Sequence, residues 1–160
     1  MSILPLLALP FAAHLTDPAA LAVLTIWQEA RGEPWEGKVA VAEVIRDRTL
    51  RGYNSDGTLI GTLLGPYQFS GWNTADPQRI KALKAGAALL PALVECARAW
   101  NHAIEQRSTF AKGALLYHAN PMPKGMKVPG WASRLPKLIQ IGAHAFYADP
   151  AAKPLPKGDQ

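Results

Sequence analysis

The chain is predicted to be mainly α (α+β): a single domain of 160 residues with a small strand element late in the sequence. Three observations carry that expectation. The pairs Asp17-Pro18 and Asp76-Pro77 each place a capping side chain directly before a proline, an arrangement that starts helices. Apolar residues then recur at helical spacing. After Ser108 the texture changes to prolines, glycines and short apolar runs.

The first helix is expected over 18–30, ended by Gly32. It is almost wholly apolar from Ala19 to Trp27, so it should be a buried central helix. Pro34 restarts the chain, and a second helix is expected over 36–50. Val41, Val44, Ile45 and Arg48 share its helical spacing, with Glu43 and Asp47 on another face. Residues 52–56 read as a loop, 58–64 as a short helix stopped by Gly65-Pro66, and 67–73 as an irregular aromatic loop. Asp76-Pro77 opens a helix to about residue 84. A longer one follows over 91–107, with Leu93, Ala97, Trp100 and Ile104 on its apolar stripe. Residues 121–129 (Pro-Met-Pro-Lys-Gly-Met-Lys-Val-Pro) must be loop, and 138–142 are a candidate strand. The division is therefore 1–148 for the globular unit and 149–160 for a Pro-rich tail, expected to be mobile.

The composition, 49% hydrophobic and 18% charged, suits a globular domain with a real core. A formal charge of +5 favours encounter with polyanions: nucleic acid, anionic membrane surfaces or acidic wall polymers. The basic residues are scattered, at Lys38, Arg46, Arg48, Arg51, Arg79, Lys81, Lys84 and Arg98, and no nucleic-acid motif accompanies them. Nucleic acid is therefore not an expected partner. The single cysteine, Cys96, excludes an intramolecular disulfide and reads as a small core residue. Residues 3–13 are apolar, but Pro5 and Pro10 interrupt them and no Lys or Arg precedes them. They fall short of the roughly 20 residues a spanning helix needs. They are expected to pack on the domain, with neither a convincing signal peptide nor stable membrane insertion.

The candidate chemistry begins at Thr25-Ile-Trp-Gln-Glu-Ala-Arg-Gly-Glu-Pro-Trp35. Glu29 lies at the end of the apolar helix, between Trp27 and Trp35 in sequence. The negative end of the helix dipole and apolar neighbours both disfavour its ionised form, which suits a general acid. The competing reading is a carboxylate paired with Arg31 or solvent. Glu33 is either a second acid, as two-carboxylate glycosidases need, or an anchor for loop amides. Tyr67, Gln68, Phe69, Ser70 and Trp72 mix aromatic faces with polar donors, as sugar subsites do, or else form an ordinary buried loop. Tyr117 and His118, with Asn120 and Trp131, make a second such cluster. His14, His102, His118 and His144 include no helical His pair, so no metal is expected. Ser70 and Ser133 lack a nucleophile-elbow setting, no phosphate-cradling loop is present, and no cofactor is expected.

Three sets of residues together resemble the SleB-type cell-wall hydrolases, the spore-cortex-lytic family also found among phage endolysins. The first is Ile26-Trp-Gln-Glu-Ala-Arg-Gly-Glu-Pro-Trp-Glu-Gly-Lys-Val-Ala-Val-Ala-Glu-Val-Ile45, close to the family's E-A-R-G-E-P, G-x-x-A-V-A-x-V-I pattern. The second is Gln68-Phe-Ser. The third comprises Ala114-Leu-Leu-Tyr-His, Pro129-Gly-Trp and Ile141-Gly-Ala-His-Ala-Phe-Tyr147. The resemblance covers about residues 21–147 and implies a lysozyme-like fold acting on the glycan strands of peptidoglycan. It puts the catalytic glutamate at Glu29. One departure is Asp47, where the family usually has Asn before Arg48.

The implied function is cleavage of the MurNAc-GlcNAc bond, as a lytic transglycosylase giving 1,6-anhydro products. In that version Glu29 works without a second acid, Glu33 holds its loop, and Tyr67, Gln68, Phe69, Ser70, Tyr117 and His118 line the glycan groove. The alternatives are a hydrolytic lysozyme, with Glu33, Glu43 or Asp47 positioning water, and a non-catalytic glycan-binding wall module. A monomeric phage endolysin is the expected setting. It would pass from host cytoplasm to periplasm with release by a holin-type partner.

Overall fold

The structure is a computed structural model describing residues 17–66, 68–73, 76–88, 91–105 and 109–157. The leading segment 1–16, Tyr67 and the last three residues lie outside it. Among the described residues, five α-helices precede a three-stranded antiparallel sheet: α1 (Pro18–Ala30), α2 (Trp35–Arg51), α3 (Leu59–Leu64), α4 (Pro77–Ala88), α5 (Pro91–Glu105), β1 (Leu116–Ala119), β2 (Lys137–Ile141) and β3 (His144–Tyr147).

The caps work as the sequence implies. The Ala20 amide donates to Asp17 Oδ1 (2.8 Å), and Pro18 occupies the first turn, where its missing N–H costs nothing. Thr58 caps α3 by accepting from the Gly61 amide (3.0 Å), and Asp76 Oδ1 accepts from Gln78 N at the start of α4 (2.8 Å). Gly52 ends α2 at φ +58, left-handed backbone that glycine adopts without a Cβ clash. The α1 helix is buried from Ala20 to Trp27 and is packed by α2, α3, α4 and α5. Each fully buried leucine on it, Leu21 and Leu24, contributes about 1.5–3 kcal/mol of apolar burial. Among the described residues no helix is long and apolar enough to cross a membrane.

Two expectations are corrected, one on α5 and one in the tail. On α2, Glu43 and Asp47 are buried as the stripe of Val41, Val44 and Ile45 is, because the helix is buried on nearly every side between α1, α3 and α5. Glu43 accepts from the Phe110 and Ala111 amides (3.1 and 2.7 Å), and Asp47 from Arg46 Nε (2.8 Å). On α5 the buried stripe is Leu93, Cys96, Ala97, Trp100 and Ala103, while Ile104 is exposed. Burial pushes the Cys96 thiol up to about 12, consistent with a core residue. The start of the tail is tied down: Asp149 accepts from the Tyr53 hydroxyl (2.6 Å), and Arg51 donates to the Lys153 carbonyl (3.2 Å).

The sheet order is β1-β3-β2, so the last strand in sequence is the central one. Its residues are all buried, and Phe146 joins the helical core, with Tyr117, Leu138, Ile139 and Ile141 packed alongside. The candidate strand over 138–142 is β2. The other two strands carry no assignment from the sequence. The sheet stands against the end of α1, and that junction holds the site.

Candidate active site

Glu29 lies in the last turn of α1, beside a cavity of about 530 Å³ between the helices and the sheet. Across from it, Tyr117 on β1 donates its hydroxyl to Glu29 Oε2 at 2.8 Å. Burial pushes the Glu29 carboxyl above the usual carboxylate range; the Tyr117 hydrogen bond and the Arg48 charge pull it partly back, and Asp76 adds a smaller upward push. The neighbours that desolvate Glu29 are not the tryptophans beside it in sequence. Trp27 carries the Arg31 guanidinium over its ring (4.5 Å), Trp35 packs edge-on to His102, and neither lines the cavity. Arg31 donates to the Trp27 and Gln28 carbonyls, so the expected alternative of a Glu29–Arg31 pair is not formed.

Arg48 supplies the cavity's buried cation. Its Nε donates to the Leu115 carbonyl (2.7 Å), Nη1 reaches Gln68 O and Oε1 (both 3.4 Å), and its guanidinium lies 5.1 Å from the Phe69 ring centre. Burial lowers its affinity for a proton, and Tyr117, Tyr53 and Glu29 raise it. The sequence carried a signal for this residue: Arg48 continues the stripe of Val41, Val44 and Ile45, and a charge on an apolar stripe needs partners.

Gln68, Phe69 and Ser70 line the cavity as expected. Tyr67 lies outside the described residues. Trp72 turns away into the core, where its Nε1 donates to Thr25 Oγ1 (2.8 Å). His118 lines the cavity, but both ring nitrogens are engaged: Nδ1 with the Ala119 carbonyl (2.7 Å) and Nε2 with the Tyr147 hydroxyl (3.0 Å). With Nδ1–H donating to that carbonyl, Nε2 accepts, and the ring is a wall element rather than a free acid or base. Trp131 and Tyr147 pack edge-on at 5.2 Å beside it. The remaining lining includes Tyr53, Asn54, Met122, Met126, Lys127 and His144. The sequence read their segments as plain loop or left them unassigned, because which loop faces a helix end is a tertiary fact.

Glu33 is the staple of the β2–β3 turn. Its Oε2 accepts from the Ala143 amide (2.8 Å) and sits 4.0 Å from His144 Nδ1. Gly142, at φ +53, leaves the room this carboxylate occupies, since a Cβ there would collide with it. Lys38, buried, donates to the Glu33 carbonyl and pairs with Glu95 (3.3 Å). Glu33 does not line the cavity; it reaches Glu29 only through His144, whose ring packs edge-on to Tyr117 at 5.1 Å. Burial lowers the His144 value, with Glu33 pulling it back and His118 adding to the fall. Glu29 is thus the one carboxylate among the described residues lining the cavity. No group of three or more described His, Cys, Asp or Glu side chains is arranged to hold a metal ion.

This architecture has known counterparts. The catalytic domain of the Bacillus cereus SleB protein superposes with a TM-score of 0.61 at 25% identity, over 82% of this chain and 90% of that one. The catalytic domain of the germination-specific lytic transglycosylase SleB from Bacillus anthracis gives 0.60, again at 25% identity, over 81% and 93%. A spore cortex-lytic enzyme of Oceanobacillus iheyensis is 32% identical over 121 residues, 76% of this chain. The chain spans only 38% of that relative's length. The cell wall hydrolase family matches residues 32–147, which includes the Arg48 and Tyr117 sides of the cavity and begins just after Glu29. By that match and that relative, the chain belongs to the cell wall hydrolase family.

Proposed function

We propose that this chain cleaves the glycan strands of peptidoglycan between MurNAc and GlcNAc, as a lytic transglycosylase with Glu29 as its single acid and base. The observation that carries the reading is Glu29 itself: the one carboxylate among the described residues lining the cavity, pushed toward its protonated form by burial and hydrogen-bonded by Tyr117. The family and the lytic transglycosylase named among its solved relatives support the same chemistry.

Tyr117 occupies Oε2, which leaves Oε1 to carry the acid proton. Glu29 gives that proton to the glycosidic oxygen as the C1–O bond breaks, and the sugar's acetamido oxygen stabilises the cationic carbon. The carboxylate then takes the proton of the muramic 6-hydroxyl while O6 bonds to C1. No water is consumed, and Glu29 ends as it began. Arg48 and Tyr117 stabilise the ionised interval between the two transfers.

A hydrolase would need a second group to hold water. Glu33, Glu43 and Asp47 are each engaged elsewhere and none lines the cavity, which favours the one-acid route. An endolysin setting, with a holin-type partner giving passage to the wall, is part of the proposal; the basic charge of +5 suits approach to an anionic envelope. The test is release of soluble fragments from purified wall by wild type and Glu29→Gln. The variant should lose about 10²–10⁴ of the rate, the usual contribution of a positioned acid. Wild type that binds wall and releases nothing would leave only the binding-module reading standing.

A further inference from the structure

The geometry points to Lys127 as the residue that recognises the peptide stem of the glycan, by pairing with a stem carboxylate at the rim of the Glu29 cavity. This rests on the reading of that cavity as the glycan site. MurNAc differs from GlcNAc by a 3-O-lactyl group, and in the wall that group carries a short peptide. The stem begins with an alanyl residue and continues with residues bearing free carboxylates. A cavity that holds MurNAc must let this chain leave past one of its walls.

The two walls differ in what they offer. The side formed by Gln68, Phe69 and Ser70 has Arg48 behind it, but that guanidinium is buried and engaged with Leu115 and Gln68. The side formed by residues 122–129 presents Met122, Pro123, Met126 and then Lys127. Lys127 is exposed and, among the described residues, makes no ion pair. It is the one exposed cation among the described residues lining the cavity. An apolar surface followed by a free ammonium matches an alanyl residue followed by a carboxylate.

The loop is built to hold that cation in place. Prolines stand at 121, 123 and 129, the Met126 amide donates to the Pro123 carbonyl (3.0 Å), and Gly125 takes the turn at φ +85. Less backbone freedom is then lost on binding. The same loop supplies a control: Lys124 is also exposed but does not line the cavity. General attraction to an anionic wall would use both lysines, whereas recognition of a stem in the cavity would use only Lys127.

The experiment compares cleavage of stem-bearing glycan strands with the same strands stripped of peptide by an amidase, for wild type, Lys127→Gln and Lys124→Gln. Wild type should cut the stem-bearing strands faster. Lys127→Gln should lower the ratio of the two rates by about two- to five-fold, the scale of an exposed ion pair, and Lys124→Gln should leave it in place. Added salt should narrow the wild-type ratio. An unchanged ratio in Lys127→Gln, or an equal fall in Lys124→Gln, overturns the assignment. Wild type that cuts both substrates without preference also overturns it while leaving the glycan reading intact. Wild type that cuts neither removes the glycan reading, and this proposal with it.

Discussion

In the proposed reaction Glu29 holds a proton when the glycan arrives and accepts another before the product leaves. Burial favours the first state, and the Tyr117 hydroxyl and Arg48 charge favour the second. Two predictions follow from the signs. In the folded protein Glu29 binds its proton more tightly than in the unfolded chain, so its stabilising contribution is complete below the ordinary Glu range and is lost as pH rises through the raised value. Glu29→Gln removes that loss. Its Tm should exceed wild type at about pH 8 and match it at about pH 4, below the unperturbed Glu value. A lower Tm for the variant at the alkaline end would contradict the burial argument. Tyr117→Phe deletes a contact that lowers the Glu29 value, so the alkaline limb of kcat/KM should move to higher pH; an unmoved limb would mean that Tyr117 does not act on the acid. At this scale the place of Glu29 at a helix end was legible because it is local, whereas the groups that line the cavity around it come from distant segments. Its partners were less so: Tyr117 lies 88 residues away, and no periodicity links a helix end to a strand that distant.

The helices were legible from their chemistry. Asp17-Pro18 and Asp76-Pro77 cap as their residue types imply, and Gly52 ends α2 in the conformation that favours glycine. Of the strands, only β2 was legible. Leu116–Ala119 and His144–Tyr147 are four residues each, and the latter is buried throughout, so it lacks the alternation that marks a half-exposed strand. What fixes the β2–β3 turn is an ion-and-backbone contact invisible to pattern: Glu33 Oε2 in the space left by Gly142. Gly142→Ala should therefore cost about 1–2 kcal/mol for left-handed backbone alone, and more for the collision with Glu33. The collision part should largely disappear in a Glu33→Ala background. Urea unfolding of the two single variants and the double variant measures it. Strictly additive losses would show that Glu33 and Gly142 do not share that space. The tail follows the same lesson: its prolines suggested a mobile segment, but Asp149 finds Tyr53, itself a wall of the cavity.

For the whole molecule, the fold places Glu29, the one carboxylate among the described residues lining the cavity, between a helix end and a small sheet, and uses three other largely buried acids for structure. Glu43 caps the amides at 110–111, Asp47 holds Arg46, and Glu33 staples the hairpin. The two acids of Glu-Ala-Arg-Gly-Glu are neighbours in sequence, yet they face different parts of the molecule. The sequence left open whether Glu33 is a second acid or an anchor, because Gly32 lets the chain turn between them and spacing alone cannot say where it goes. The proposed reaction follows from that separation, and its product distinguishes it from hydrolysis. Purified peptidoglycan digested with wild type and with Glu29→Gln, and the soluble muropeptides weighed by mass spectrometry, tests it directly. Products ending in 1,6-anhydromuramic acid, absent with Glu29→Gln, are the expected result. Reducing ends heavier by one water would contradict the single-acid account and require a second group to activate that water.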